Sequence, residues 1–378
     1  MTISQRRERL RQRLAAADLD AMLVTDLVNV RYLSGFTGSN AALLVRVEDA
    51  TPVLATDGRY RTQAAQQAPD AEVVIERACG PHLAARAAAD GVRRLGFESH
   101  VVTVDAHSAL SEAAGDKVEL VRAAGTVEAL REVKDAGEIA MLRLACEAAD
   151  AALTDLVERG GLRPGRTEKE VRRDLESLML DHGADGPSFE TIVATGANSA
   201  IPHHRPTDAV LATGDFVKID FGALVSGYHS DMTRTFILGR AEQWQLDLYE
   251  LVAASQAAGR EALAAGVELR AVDAASRQVI IDAGYGDHFN HGLGHGVGLQ
   301  IHEAPGLNSA AAGTLLAGSA VTVEPGVYLP GRGGVRIEDT LVVPGGESAE
   351  GVVDRFAHNI SDAAPELLTR FPKELAIV

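Results

Sequence analysis

The sequence contains few cysteines and few aromatic residues, and it has no long apolar run. Two cysteines, Cys79 and Cys146, are too few for a disulfide framework or a cysteine-type zinc site, and they suit a reducing cytoplasm. No stretch approaches the roughly 20 apolar residues that a membrane-spanning helix needs. The arginine-rich segment 1–14 leads into no apolar core of signal-peptide length, so we interpret it as an amphipathic helix. We therefore expect a cytoplasmic protein that does not span a membrane.

Basic residues are also in short supply. The chain has 53 acidic and 36 basic residues and a formal net charge of −17, which repels nucleic acid and anionic membrane surfaces. We therefore expect neither as a partner, and small molecules or peptides remain. The content of 46% apolar and 24% charged residues is typical of a folded globular protein.

The length of 378 residues exceeds the size at which a single core stops growing, about 250–300 residues, and so predicts two domains. Residues 1–128 alternate short apolar runs with turns and short helical patterns, which predicts an α/β domain. Over residues 134–360, pairs of long alanine-rich helices precede two strand-rich stretches, an order that predicts a second domain built from two related halves. The stretch after Gly345 is less regular and is predicted to contain one closing helix, and residues 361–378 are assigned to a C-terminal tail.

Two acidic residues are predicted to face each other in the first strand-rich stretch, residues 216–236. Alternating apolar and polar residues around a Ser-Gly pair predict a β-hairpin. With the turn centred on Val225 and Ser226, antiparallel pairing would place Asp220 opposite Asp231, with Cβ atoms about 5 Å apart. Like charges so placed destabilise a sheet unless cations lie between them, and two-metal sites have ions about 3.5–4 Å apart. Taken alone, the pair is equally consistent with two solvated acids on a strand.

A second acidic pair occurs in residues 321–343, where a Pro-Gly-Arg-Gly-Gly loop separates two β-rich runs. A hairpin centred on Gly331 puts Glu324 opposite Glu338. Glu324 lies in an apolar run, where an unpaired carboxylate is costly to bury. Because two hairpins repeat one arrangement, the pattern favours a metal site over coincidence.

Histidines crowd around these acids, although a single histidine is more often structural. Five of the 12 histidines lie in two short segments: His203, His204, His291, His295 and His302. The glycines that alternate through residues 291–298 oppose a helix and fit no phosphate-binding motif, so this segment is predicted to be a loop. One imidazole and four carboxylates form an oxygen-rich ligand set, which favours Mn²⁺ over a lone Zn²⁺ and leaves Co²⁺ or Zn²⁺ open.

From Lys134 to Val343 the chain resembles the pita-bread metallopeptidases, the family of aminopeptidase P, prolidase and methionine aminopeptidase. The resemblance rests on the motifs DFG(x)₈D, HGLGH, IHE, EPG and RIED, which occur in that order. The earlier motifs NVRYLSGFTGSNA and TDGRY resemble the creatinase-type domain of the proline-specific branch. The resemblance implies an α/β creatinase-like N-terminal domain followed by an α+β pita-bread catalytic domain with a curved, mainly antiparallel sheet.

The same resemblance implies roles for individual residues. Two divalent metal ions would be held by Asp220, Asp231, His295, Glu324 and Glu338. Mn²⁺ is expected in preference to Co²⁺ or Zn²⁺. The substrate and its oxyanion would be held by His203 and His302, with His291 beside them. Glu324 would also move a proton to the leaving nitrogen, and Arg336 would orient Glu338 or meet the substrate. The implied reaction is removal of the first residue from short proline-containing peptides, Xaa-Pro-Yaa, by a homodimer.

One departure from the family pattern concerns the substrate. Prolidases of this family commonly read His-Glu-x-Pro-Arg, with an arginine placed for a dipeptide's carboxylate, whereas this chain has Gly306 there. We therefore predict that Xaa-Pro-Yaa peptides are cleaved at least as well as Xaa-Pro dipeptides, unless Arg336 or an arginine of a neighbouring subunit holds the carboxylate.

The alternatives are a strict Xaa-Pro dipeptidase, a creatinase-like hydrolase without metal, and a non-catalytic binding protein. The complete set of five ligands argues against the last two. For His204, which stands where a tyrosine is common, the sequence predicts no role.

Overall fold

The computed structural model describes residues 1–344 and 364–378, and the chain divides into two compact units, Met1–Arg131 and Glu132–Val378. Among the described residues, no helix combines the length and the apolar character that crossing a membrane requires.

The first unit is a mixed six-stranded sheet with helices packed on it. Its helices are α1 Ile3–Ala16, α2 Leu27–Ser34, α3 Arg61–Gln67, α4 Cys79–Ala89, α5 Val104–Ala114 and α6 Glu128–Arg131. Its strands are β1 Ala21–Val24, β2 Ala41–Arg46, β3 Val53–Thr56, β4 Glu72–Ile75, β5 Arg94–Phe97 and β6 Glu119–Arg122, in the spatial order β4-β3-β2-β1-β5-β6. The central β1 pairs antiparallel with β2 and parallel with β5. The predicted α/β class and the helix at the start of the chain are confirmed.

The helices of the second unit come in two pairs, as the sequence predicts: α7 Ala136–Glu158 with α8 Glu168–Asp181, and α9 Gln243–Glu261 with α10 Leu269–Asp282. Capping boxes begin the first pair. Asp135 accepts from the backbone of Glu138 at α7, and Thr167 accepts from that of Glu170 at α8. Each pair packs on its own apolar core, the first against strands before residue 240 and the second against strands after 290 together with Phe216 and Ile237.

The strands of the second unit form antiparallel ladders. They are β7 Gly186–Pro187, β8 Ile192–Thr195, β9 Phe216–Phe221, β10 Ala223–Val225, β11 Tyr228–His229, β12 Met232–Ile237, β13 Gly294–Gly296, β14 Glu303–Leu307, β15 Ala320–Val323, β16 Gly326–Leu329, β17 Gly333–Arg336, β18 Asp339–Val342 and β19 Glu366–Leu367. The pairs that matter for the site are β9 with β12, β13 with both β14 and β15, β15 with β18, and β16 with β17.

The first hairpin has a different register from the predicted one. Asp220 pairs with Thr233 rather than with Asp231, because the turn is centred one residue later, on Ser226 and Gly227. Both turn residues have positive φ, 47° and 74°, which is the type I′ geometry that suits a two-residue hairpin. Asp220 and Asp231 are therefore offset by two residues along the ladder instead of facing each other.

The second hairpin has the predicted register. Gly326 pairs with Arg336 and Val323 with Asp339, so the ladder continues across the gap where Glu324 and Glu338 lie opposite each other. Both acids of the second hairpin therefore lie at a break between two ladder segments, as Asp231 does in the first hairpin, whereas Asp220 is paired within the ladder. At such a break the carboxylate positions are set by the ladder on each side.

Residues 294–296 of the glycine-rich segment form the short strand β13, where the sequence predicted a loop throughout residues 291–298. His295 lies in β13, between the backbones of β14 and β15. A Cβ on Gly294 would lie 2.1 Å from the Thr322 carbonyl oxygen, and one on Gly296 would lie 2.1 Å from that of Ala304. The glycines therefore serve close backbone approach, which fixes His295 in the middle of a sheet.

The C-terminal segment 364–378 extends the catalytic sheet. Its strand β19 pairs with β18, and Ile377 forms a bridge with Ile237. The predicted closing helix is wrong for this segment, whose side chains instead pack on the apolar cores of both halves. The part of that prediction that falls on residues 345–363 lies outside the described residues.

Candidate metal centre and active site

One cavity of about 460 Å³ brings together all the residues that the sequence assigned to the site. Its wall contains the predicted metal ligands Asp220, Asp231, His295, Glu324 and Glu338. It also contains the predicted substrate-binding residues His203, His291, His302 and Arg336. These side chains come from β9, the β11–β12 junction, β13, β17, the breaks in the second hairpin, and three loops.

His295 directs one ring nitrogen at two of the acids. Its Nδ1 lies 3.0 Å from the Gly296 carbonyl oxygen, which only accepts, so Nδ1 carries the proton. The other nitrogen, Nε2, lies 3.5 Å from Asp231 Oδ2 and 3.4 Å from Glu324 Oε1. Asp231, His295 and Glu338 each bring one ligand atom within 4.8 Å of the others. A lone pair that faces carboxylate oxygens at these distances fits a shared cation.

The acids disfavour one another's charges in the absence of cations. Burial, together with the neighbouring carboxylates Asp220 and Glu324, raises the pKa of Asp231 well above its ordinary value. Burial and the charge of Asp231 raise the pKa of Glu338 in the same way. For Glu324, burial raises the pKa to about 7, against the opposing effect of Arg336. Cations bound among these groups would reverse this cost and hold the acids ionised.

Hydroxyl and guanidinium groups hold one oxygen of each of three acids. Thr233 Oγ1 donates to Glu338 Oε2 at 2.7 Å, and Thr322 Oγ1 donates to Glu324 Oε1 at 3.1 Å. Arg336 donates from Nη2 to Asp220 Oδ2. The opposite oxygens of Asp220 and Glu338, Oδ1 and Oε1, are buried and have no hydrogen-bond partner among the described residues. The residues present therefore fit divalent cations.

Arg336 has a different partner from the predicted one. It donates to Asp220 rather than to Glu338. Its Nη1 donates to Tyr328 Oη at 2.8 Å and to the Pro202 carbonyl at 3.2 Å, while Nε donates to Thr233 Oγ1 at 3.1 Å. With only 2% of its surface exposed, Arg336 is buried among these partners.

His291 also differs from expectation, because both of its ring nitrogens are used within the protein. Nδ1 donates to its neighbour's carbonyl, Gly292 O, at 2.8 Å, and Nε2 lies 2.9 Å from Tyr328 Oη. Burial and the charge of Arg336 lower the pKa of His291 to about 3, so the ring is neutral and accepts from Tyr328. His291 therefore supports the wall of the cavity and has no N–H left for a substrate.

His203 and His302 are the histidines whose rings remain available to a ligand. Both are exposed in the cavity wall, and neither has a hydrogen-bond partner in the part of the chain that the structure describes. The ring of His302 packs edge-on against His295, with centroids 4.4 Å apart. Burial and the nearby His295 lower the pKa of His302.

The loop that carries His203 is held from one side by a buried lysine. Lys218 Nζ donates to the Ile201 carbonyl at 2.6 Å and to that of Pro202 at 3.3 Å, and it lies 5.0 Å from the centre of the Tyr328 ring. Burial lowers the pKa of Lys218 well below its ordinary value. Together with Arg336, this lysine fixes the backbone just before His203.

On the other side the loop is held by Glu168, at the start of α8, and this explains His204. His204 Nε2 donates to Glu168 Oε2 at 2.8 Å. The same carboxylate accepts four more hydrogen bonds, from Thr195 N, Asn198 Nδ2, Thr207 N and Thr207 Oγ1. Burial alone would raise the pKa of Glu168, but these donors outweigh it and the pKa is lowered. The carboxylate therefore holds both ends of the loop.

Sequence reasoning missed Lys218, Tyr328, Thr233 and Glu168. For two of them the sequence contained a detectable signal. Lys218 lies two residues before Asp220 and therefore on the same face of its strand. Tyr328 lies two residues after Gly326 in an alternating strand and therefore on the same face as Gly326. Thr233 had none, because its partner depends on the true hairpin register. In the sequence, Glu168 looks like an ordinary acidic residue in the first turn of a helix, and only the tertiary structure shows its hydrogen-bond partners.

Comparison with known proteins agrees with this geometry. The model of metallopeptidase family M24 matches residues 140–344, and that of the creatinase/prolidase N-terminal domain matches residues 6–133. The solved Xaa-Pro dipeptidase from Bacillus anthracis is similar over 100% of both chains, at 38% identity with a TM-score of 0.90. The X-Pro aminopeptidase from Thermotoga maritima MSB8 is similar over 98% of this chain and 99% of its own, at 32% identity with a TM-score of 0.85. An Xaa-Pro dipeptidase of Pyrococcus horikoshii is 34% identical over 86% of this chain and 90% of its own length.

Proposed function

Because the chain belongs to metallopeptidase family M24, we propose that it is a metal-dependent exopeptidase that hydrolyses the bond between an N-terminal residue and a proline. The similar proteins described as Xaa-Pro dipeptidase and X-Pro aminopeptidase support this substrate class. The proposed ligands of two divalent cations are Asp220, Asp231, His295, Glu324 and Glu338.

The observation that carries the proposal is the set of ligand atoms that the fold buries without donors. Oδ1 of Asp220 and Oε1 of Glu338 lack partners among the described residues, and His295 offers an unprotonated nitrogen beside two carboxylates. In a creatinase-like hydrolase without metal, or in a scaffold that only binds, burying these groups would cost desolvation free energy that no bound ion offsets. This set of metal-ligand atoms therefore argues against both alternatives.

Bound divalent cations supply Lewis acidity and lower the pKa of water towards neutrality. The role of the protein's own residues is to position the carboxylates around these cations and to transfer protons. Thr233, Thr322 and Arg336 each fix one carboxylate oxygen, so the other oxygen is presented in a set direction. This preorganisation means that little rearrangement is needed when a peptide binds.

His203 and His302 are proposed to hold the substrate carbonyl and donate hydrogen bonds to the oxygen that becomes negative. Their exposure in the cavity and their lack of partners among the described residues suit this task. Glu324 is proposed to carry a proton to the leaving nitrogen of proline. Its raised pKa, about 7 without metal, marks it as a carboxylate whose proton affinity its surroundings control.

We also propose Mn²⁺ as the resident cation, because a site with one imidazole and four carboxylates suits it. A cytoplasmic homodimer is the assembly proposed from the family resemblance. Light scattering on the purified protein tests the dimer, and a monomeric mass at all concentrations would contradict it.

The test of the proposed function is to measure metal content and peptide hydrolysis together. The protein as purified with Mn²⁺ is expected to hold two equivalents and to cleave Xaa-Pro-Yaa peptides but not matched Xaa-Ala-Yaa peptides. Asp231→Asn is expected to lose most of the metal and the activity, because the amide cannot replace a charged ligand between the others. The exposed Asp208→Asn serves as control for the loss of one acidic charge. Two full equivalents of metal in Asp231→Asn would refute the ligand assignment.

A further inference from the structure

A short Xaa-Pro substrate ends in a free carboxylate close to the bond that is cut, and the metal centre offers it no obvious partner. Gly306, which pairs with His295 across the β13–β14 ladder, has no side chain to offer it. Arg336 is buried and donates to Asp220, Thr233, Tyr328 and Pro202. The carboxylate therefore needs another cation.

Arg205 is the remaining cationic side chain among the described residues that line the cavity, histidines aside. It follows His203 by two residues, and its side chain is 84% exposed. His203 and Arg205 both line the cavity, so the guanidinium lies in the same stretch of wall as a proposed oxyanion donor. His204, between them, is instead held by Glu168. His203 and Arg205 therefore present neighbouring side chains to the cavity.

The guanidinium of Arg205 is held at one edge only. Its Nε lies 3.2 Å from Glu190 Oε2, and Glu190 also lines the cavity. No other ion pair or hydrogen bond of Arg205 is found among the described residues. Since a guanidinium carries five N–H donors in a fork, contact at Nε leaves the two terminal amino groups for a second carboxylate.

We propose that Arg205 forms the subsite for the free carboxylate of an Xaa-Pro dipeptide, with Glu190 holding its guanidinium at the cavity rim. This deepens the proposed function and rests on it. It also replaces the missing arginine at position 306 with one from a different loop, so dipeptides join longer Xaa-Pro peptides as substrates. In a chain with a net charge of −17, such a positive group at the rim opposes the general repulsion of an anionic substrate.

The experiment compares an Xaa-Pro dipeptide with the same dipeptide amidated at its C-terminus, using the Mn²⁺-loaded enzyme. A charge-assisted hydrogen bond is worth about 10- to 150-fold in affinity, and the exposure of Arg205 places it near the lower end. Arg205→Ala is therefore expected to lower kcat/KM for the free dipeptide about tenfold, through KM with kcat unchanged, because the contact is made before and during the reaction alike. The amidated dipeptide is expected to be cleaved equally by both enzymes.

Two further variants control for charge and fold. Arg205→Lys keeps a cation without the fork and is expected to fall between wild type and alanine. Arg173→Ala removes an exposed arginine that does not line the cavity and is expected to behave as wild type. An unchanged KM for the free dipeptide in Arg205→Ala, or an equal loss for the free and amidated dipeptides, would overturn the proposed subsite. A wild-type enzyme that cleaves neither dipeptide nor any longer Xaa-Pro peptide would instead overturn the proposed function.

Discussion

The carboxylate of Glu168 should control both the stability of the catalytic unit and the position of His203. The change that tests this is Glu168→Gln, which keeps the side-chain shape and replaces one oxygen with an NH₂ group. Every group around this carboxylate is a donor, and two of them are backbone N–H groups on opposite oxygens, those of Thr195 and Thr207. Whichever way the amide turns, one of these N–H groups then faces another donor.

The expected size follows from these contacts. A buried N–H without an acceptor costs about 1–3 kcal/mol, and the remaining bonds lose the contribution of a charged acceptor. We expect Glu168→Gln to lower the free energy of unfolding of the catalytic unit by about 2–4 kcal/mol at pH 7. Because the pKa of Glu168 is lowered in the folded protein, its stabilising effect is present above its ordinary pKa and is lost as the pH falls through the folded value. The gap between wild type and variant should therefore narrow in acid.

The same variant should slow turnover while the metals remain bound. A displacement of His203 by about 1 Å is expected to lower kcat roughly 10- to 100-fold. Denaturant titration, metal analysis and steady-state kinetics on one preparation give the three readouts. Glu170→Gln is the matched control, since Glu170 lies on the same helical turn, is partly exposed and serves only as a cap for Thr167 N. Reduced stability with unchanged kcat would show that the loop is held but does not position His203, and no change in either would refute the reasoning.

Two further predictions test other parts of the site. His203→Ala and His302→Ala are each expected to retain two metal equivalents and to lose roughly 100-fold in kcat, the usual scale for an oxyanion donor, and a near-normal kcat would assign that histidine to a structural role. Gly296→Ala is expected to destabilise the catalytic unit strongly and reduce metal binding, because its Cβ would lie 2.1 Å from the Ala304 carbonyl oxygen. Gly186→Ala, where nothing lies within 4 Å, is the control in the same thermal-unfolding assay.

The contrast between the two hairpins shows what the sequence can predict. The second was placed correctly because its loop is symmetric about Gly331 and both strands reach the acids without interruption of the register. The predicted turn of the first hairpin was one residue too early. A type I′ turn needs positive φ at both central positions, and of the two residues only Gly227 indicates this preference by its type. Even so, the offset pair Asp220 and Asp231 lines the same cavity, since residues two apart share a face.

Features that depend on long-range approach were beyond sequence reasoning. Glycine propensity argues against a strand at residues 294–296, yet two neighbouring backbones occupy the space that side chains would fill. Likewise, the partners of Glu168 lie 27–39 residues away along the chain, so no local pattern reveals them. The contacts of Arg336 and His291 were beyond prediction for the same reason, since Tyr328 contacts both and these contacts arise only in the folded protein.

The breaks in the two hairpins have a consequence for the order of events in folding. Asp220 and Glu338 are the first and the last of the proposed ligands along the chain, and His295 joins them only when β13 is enclosed by β14 and β15. No segment short enough to close early contains more than two of the five proposed ligands, so the centre forms only after distant strands have met. Metal ions would then add their binding energy after the rate-limiting step, slowing unfolding while leaving the rate of folding almost unchanged. In a cell, metal supply would set how long the folded enzyme lasts rather than how quickly it appears.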